Sequence, residues 1–359
     1  GWPLGPELPL TSQSVVSGLP GPLADSAPDR WGRGLIDRRI RTEAFAAGRT
    51  PRTVTDIDYL LGLSDFTRQG ALRYRLGDAD QVLTDGSTVP KLIDLPRLLN
   101  AADRIGSADD LAAVKTLLDA GSASLGGARP KASVRDGDRL LLAKFPHRSD
   151  QWDVMAWEAT ALDLAARCGI DVPVHELVRI DGRSVLLLDR FDRSGVDRIP
   201  FASGMTLLGK RDGDNADYIE VAEALSEHGA DVIADLERMW RRIAFSVAIH
   251  NTDDHLRNLG FLRGRGGWTL SPMFDVNPDP DPGSRRVTSI GWRNQPEAES
   301  RALIDIAPYF DLSPNLADCI LDEVRSVVSH WRAVATANGI PRSRRTPFSQ
   351  VLDRALAAG

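Results

Sequence analysis

The stretch that most constrains this 359-residue chain is His250-Asn251-Thr252-Asp253-Asp254-His255-Leu256-Arg257-Asn258-Leu259-Gly260-Phe261-Leu262, with Phe274-Asp275-Val276-Asn277-Pro278 a short way beyond it. A polar run this dense has to be delivered by apolar structure on both sides. On its N-terminal side Leu236, Trp240, Ile243, Ala244 and Val247 recur at helical spacing, which predicts a buried helix over 232–249. On its C-terminal side 259–262 and 268–270 predict two short strands around the turn Arg263-Gly264-Arg265-Gly266-Gly267. Pinned between helix and hairpin, the carboxylates would be held rigidly.

An aspartate, an asparagine five positions on, and another aspartate past an apolar segment follow the order of the catalytic aspartate and the two metal-binding residues of protein kinases. Phosphoryl transfer asks little covalent help of a protein, but the acceptor hydroxyl must be aimed and the triphosphate charge neutralised. Asp253 would orient and deprotonate the hydroxyl. Asn258 and Asp275 would hold magnesium, a hard ion that takes oxygen ligands. Asp and Asn also favour ordinary turns, so the pair alone leaves a plain loop open, and the upstream sequence has to decide.

Upstream, Gly121-Ser122-Ala123-Ser124-Leu125-Gly126-Gly127-Ala128-Arg129-Pro130-Lys131 is a glycine-rich loop. Its amides could approach phosphate oxygens closely, although a glycine pair also serves any turn. The strand that follows, Arg139-Leu140-Leu141-Leu142-Ala143-Lys144-Phe145-Pro146, sets Lys144 in apolar surroundings, where a lysine is costly without a partner. Kinases supply one, since their strand lysine contacts phosphates and pairs with a helix glutamate. Glu158, on a helix expected over 154–168 and closed by Gly169, is the candidate, with a plain surface glutamate as the alternative. Together these residues predict an ATP-dependent phosphotransferase.

Other segments are less informative. Strands expected over 174–179 and 184–188 form a hairpin across Asp181-Gly182 and lead into Asp189-Arg190-Phe191-Asp192-Arg193. A short helix at 57–62 and a strand at 70–74 precede two helices over 92–105 and 109–120. Asn215 to His228 is amphipathic, and Ser313-Pro314 opens a helix expected to run to Gly339. Arginines around Trp31 could stack on nucleic acid, but a solvated face with one anchoring Trp accounts for them as well. Gly204-Met205-Thr206-Leu207-Leu208-Gly209-Lys210-Arg211 mimics a phosphate-binding loop, except that Arg211 stands where a hydroxyl should ligate magnesium.

Composition narrows the class. With 44 basic and 50 acidic residues the net charge is −6, which argues against a dominant nucleic-acid surface. Cys168 and Cys319 form no paired-thiol motif, so neither a disulfide framework nor a zinc site is suggested and a reducing cytoplasm fits. No apolar run approaches the ~18 residues of a membrane span, and no secretory signal opens the chain. Its first residue is Gly1 rather than Met, as expected of a trimmed fragment.

Assembled, these residues resemble the HipA family of serine/threonine kinases, the toxins of bacterial toxin–antitoxin pairs. The resemblance runs from about Leu19 to Trp331, through Asp29 to Arg33, Gly70 to Arg73, Ser124 to Lys131, Ala143 to Pro146, Asp189 to Arg193, Asn251 to Leu262 and Phe274 to Pro278. It implies an α+β, protein-kinase-like two-lobed fold, with a mixed α/β lobe over 1–193 and a mainly helical lobe over 194–359. It implies Mg-ATP as cofactor, with Asp253 catalytic, Lys144 on phosphates, and Asn258 and Asp275 on Mg2+. Asp189 and Phe191 would contact adenine through their backbone, with Ser124, Gly126, Gly127, Lys131, Glu158 and His255 as further nucleotide-site positions. Ser124 matches the loop serine whose autophosphorylation switches such kinases off, with Ser122 as its competitor.

The implied partners are a protein substrate, aminoacyl-tRNA synthetases being among the family's targets, and a helix-turn-helix antitoxin through which DNA is contacted indirectly. By the resemblance, the family's small N-terminal β subdomain is expected to be missing or cut short here, which bears on antitoxin contact. Two other functions compete. One is a small-molecule phosphotransferase of the aminoglycoside or choline kinase type; the other is a corepressor acting with its antitoxin, against which the intact Lys144, Asp253, Asn258 and Asp275 argue.

Overall fold

A computed structural model describes residues 18–75, 77, 89–106, 110–122, 129–195 and 197–357. Ser124, Gly126 and Gly127 lie outside the described residues. The chain divides into two compact units, one made of 1–151 with 174–201, the other of 152–173 with 202–359.

The first unit is built on a four-stranded antiparallel sheet of β1 (Lys131–Asp136), β2 (Arg139–Lys144), β3 (His175–Ile180) and β4 (Arg183–Asp189), in the order β1-β2-β4-β3. Alternation assigns the faces. Ala132, Val134, Leu141, Ala143, Val185 and Leu187 pack with Leu95, Leu98, Leu99 and Ala102 of the helix Leu95–Arg104. The β3–β4 turn places Asp181 and Gly182 at φ 49° and 76°, the positive pair a two-residue hairpin demands.

A helical segment precedes the sheet. Asp29 caps the helix Arg30–Ala46 by accepting from Gly32 N at 2.6 Å. Trp31 packs toward Leu35, Val114 and Leu117 and donates its indole N–H to Ser122 Oγ at 3.0 Å, so it is an anchor. No strand forms at 70–74, contrary to expectation. Side chains have taken its backbone groups instead: Gly70 N–H goes to Asp192 Oδ2 at 2.7 Å, and its carbonyl accepts from Arg193.

In the second unit the helix Val232–Ala248 buries Leu236, Met239, Trp240, Ile243, Ala244 and Phe245 against the helices Pro314–Val328 and Tyr218–His228. The helix Val154–Arg167 belongs here because Trp157 stacks on Phe348, with ring centroids 3.9 Å apart, and packs beside Trp331. The helix opened by Ser313 ends at Val328 and a second begins at Trp331. At the break Ser329 Oγ bonds back to Ser326 O at 2.7 Å, a local competitor that serine offers a helix. Lys210 pairs with Glu220 at 2.7 Å, so the phosphate-loop mimic is tied into the fold.

Candidate active site

Each unit presents its own set of predicted residues. In the first, Lys131 and Lys144 stand directly opposite one another across β1 and β2, so both side chains share the face turned away from the helix Leu95–Arg104. Both are buried, at 2% and 6% exposure. Two ammonium groups there repel unless counter-charged, and Asp29 supplies one carboxylate, 2.5 Å from Lys131 Nζ. Ser122 is fully buried, its hydroxyl donating to the Lys131 carbonyl while accepting from Trp31. Asp189, at the end of β4, pairs with Arg139 and gives its N–H to Val174 O at 2.8 Å. Phe191 lies half-buried, its ring 6.4 Å from that of Phe201.

An ionic clamp holds this end of the sheet. Asp192, 2% exposed, accepts from Arg190 at 2.7 and 2.6 Å and from Arg193 at 2.8 Å; the two guanidiniums also bind the Thr67 and Arg68 carbonyls. Burial alone would raise the Asp192 pKa, but the arginine charges and hydrogen bonds outweigh it and hold the carboxyl below its usual range.

In the second unit the polar loop begins where the helix Val232–Ala248 ends. His250 takes φ 54°, turning the chain out of the helix, and Asp275 takes the same left-handed value between buried Met273 and Val276. Asp253 and His255 face outward: the Asp253 side chain is 80% exposed, and His255 Nε2 lies 2.7 Å from its Oδ1. That contact raises the His255 pKa above 6.5. Asn258 donates Nδ2–H to the Asp253 carbonyl at 3.3 Å, which leaves the amide oxygen as the end turned away. Glu158 is 1% exposed, within the helix Val154–Arg167.

Beneath the loop lies a network that sequence reasoning did not find. Asp254 accepts from the Tyr218 hydroxyl, and Ser246 Oγ sits 3.3 Å from the same oxygen. Burial pushes both the Asp254 and Tyr218 pKa values upward. Arg286, fully buried, pairs with Glu299 at 2.9 Å and donates to Ser246 Oγ at 2.9 Å and to the Asn251 carbonyl at 2.7 Å. Thr288 Oγ1 donates to the Asp254 carbonyl at 2.6 Å, and Val287 N to the Thr252 carbonyl at 2.9 Å. The adjacent pair Asp253-Asp254 was the available signal; Arg286 beside Arg285 reads as a solvated run.

Asn258 and Asp275 are the oxygen donors expected to hold magnesium. Among the described residues no group of three or more His, Cys, Asp and Glu could cage a metal, whereas one amide oxygen and one carboxylate suit an ion that completes its shell with phosphates and water.

The fold is that of a HipA protein. Over 99% of this chain and 88% of the other, it matches HipA from the complex of HipA, HipB and operator DNA of the Shewanella oneidensis MR-1 toxin–antitoxin system, with TM-score 0.63 at 13% identity. The HipA-like C-terminal domain model matches residues 123–331, more than half of the sequence, and the chain belongs to that family. It is 25% identical to Toxin YjjJ of Escherichia coli K12 over 300 residues, 77% of this chain and 64% of that protein. It is 26% identical to a putative kinase of Haemophilus influenzae over 143 residues, 34% of this chain and 42% of that one. The chain thus spans less than two thirds of either relative. Among the described residues no helix is long and apolar enough to cross a membrane.

Proposed function

We propose that this protein is an ATP-dependent serine/threonine protein kinase that acts as the toxin of a bacterial toxin–antitoxin pair. One observation carries the reading: Asp253 is exposed while adjacent Thr252 and Asp254 are held from beneath, and Asn258 donates to the Asp253 carbonyl. Asp253 would take the proton of an acceptor hydroxyl, and Lys144 would meet the nucleotide phosphates. Asn258 and Asp275 would hold Mg2+, which neutralises charge on the transferring phosphoryl group. Since the Asp189 N–H already serves Val174, an adenine contact from Asp189 falls to its carbonyl. Membership of the HipA-like family, likeness to a toxin and a HipA fold support the toxin role and a helix-turn-helix antitoxin partner.

Autophosphorylation belongs to Ser124 on this reading. Ser122 has its hydroxyl committed to the Lys131 carbonyl and is shut off from solvent. The test is mass spectrometry of protein incubated with Mg-ATP, alone and with soluble bacterial protein. Phosphate on Ser124 and on serine or threonine of added protein supports the proposal. Transfer only to sugars or other small alcohols overturns it, and phosphate on Ser122 overturns the choice of serine.

A further inference from the structure

The segment joining Asp275 to the helix Glu299–Ile306 carries an exposed aromatic side chain in a strained setting. Ile290 and Arg293 exchange backbone hydrogen bonds at 2.9 and 3.1 Å across the two-residue turn Gly291-Trp292. Both central residues sit at positive φ, 57° and 63°. Turns of this kind favour Asn or Gly, and a bulky residue with that backbone is an outlier. Gly291 has a structural reason, since a Cβ there would stand 3.0 Å from an Ile306 methyl. Trp292 has none of that sort: the residue is 63% exposed. Strain kept at so exposed a residue is a mark of function.

The turn is also fixed relative to the catalytic loop. Asp217, fully buried, accepts from the Trp292 and Gly291 amides and from Ser289 Oγ. The next residue, Tyr218, holds Asp254. One helix N-terminus therefore pins both the backbone of the turn bearing Trp292 and the loop bearing Asp253. Between them, Arg286, Thr288 and Ile290 point inward while Arg285 and Val287 are exposed. Arg285, Val287 and Trp292 are thus exposed along one segment, a surface suited to a polypeptide acceptor more than to a small one.

We propose that Trp292 is a specificity-determining residue that seats a large apolar side chain of a polypeptide acceptor, near the hydroxyl presented to Asp253. The inference rests on the protein-kinase reading above. Its test is phosphorylation of a degenerate serine-centred peptide library by the full chain with Mg-ATP, with ATP hydrolysis measured in parallel. The wild type should select aromatic or large aliphatic residues at a position flanking the serine. In Trp292→Asn that selection should vanish, with peptide labelling relative to ATP hydrolysis down tenfold or more; Trp292→Phe should keep most of it. The thermal midpoint of Trp292→Asn should hold or rise, because Asn accepts left-handed backbone.

Selection retained in Trp292→Asn, or no apolar selection in the wild type, overturns the proposal and leaves the kinase reading standing. A lowered midpoint with parallel loss of both activities in Trp292→Asn and Trp292→Phe overturns it in favour of a structural role. Hydrolysis by the wild type with no peptide labelled at all overturns both readings.

Discussion

Asp253 and Asp254 are consecutive, yet their carboxylates occupy opposite environments. That of Asp253 is 80% exposed beside His255, while that of Asp254 turns inward onto the Tyr218 hydroxyl and Ser246. Separating two carboxylates by environment lets one anchor and the other react. The inward aspartate fixes the backbone from which the outward one projects.

Asp254→Ala is therefore expected to act through stability. It strands the Tyr218 hydroxyl in the interior, a loss of about 1–3 kcal/mol, and loosens the loop carrying Asp253. Denaturant unfolding should show the loss, with activity falling alongside it. An Asp254→Ala protein of wild-type stability would contradict the anchoring role.

Arg286 and Glu299 form the base of the same network, with exposures of 0% and 4% at their side chains. Removing one member of a buried pair costs about 3–5 kcal/mol, since it leaves an uncompensated charge. Arg286→Leu should therefore unfold at a much lower temperature, and Arg286→Leu combined with Glu299→Leu should recover part of the loss. Equal midpoints for Arg286→Leu and wild type would remove this pair from the account.

His255 gives a pH signature. Its protonated form pairs with Asp253, so its pKa in the folded protein lies above 6.5. The stabilisation is fully present below the unfolded value and is lost as pH rises through the folded one, and for so exposed a pair it is about 1 kcal/mol or less. Proton NMR of the imidazole should titrate above 6.5 in the wild type and move toward 6.5 in Asp253→Asn. An unmoved midpoint would show that the two do not interact in solution.

The elements around the site were legible because their signals are local. Apolar spacing over 236–247 marks one helix, and alternation on both sides of Lys144 marks a strand with a charge inside it. What escaped depends on distant partners. Nothing in the sequence near Arg286 separates it from the exposed Arg285, since its partners, Ser246, Asn251 and Glu299, lie 13 to 40 residues away. The expected strand at 70–74 failed for a related reason: Asp192 and Arg193, more than 120 residues on, hold Gly70 in place of a neighbouring strand. The left-handed backbone of Trp292 is likewise invisible in a bulky residue type that seldom adopts it.

The central claim is that Asp253 reacts while its neighbours hold it. Transfer of the γ-phosphate from labelled ATP, measured side by side for wild type and Asp253→Ala, tests it most directly. The account predicts labelled protein from the wild type and a rate 10²- to 10⁴-fold lower from the variant, with the fold retained and at most the small stability of the exposed His255 pair lost. Labelling at the wild-type rate by a folded Asp253→Ala protein would contradict it.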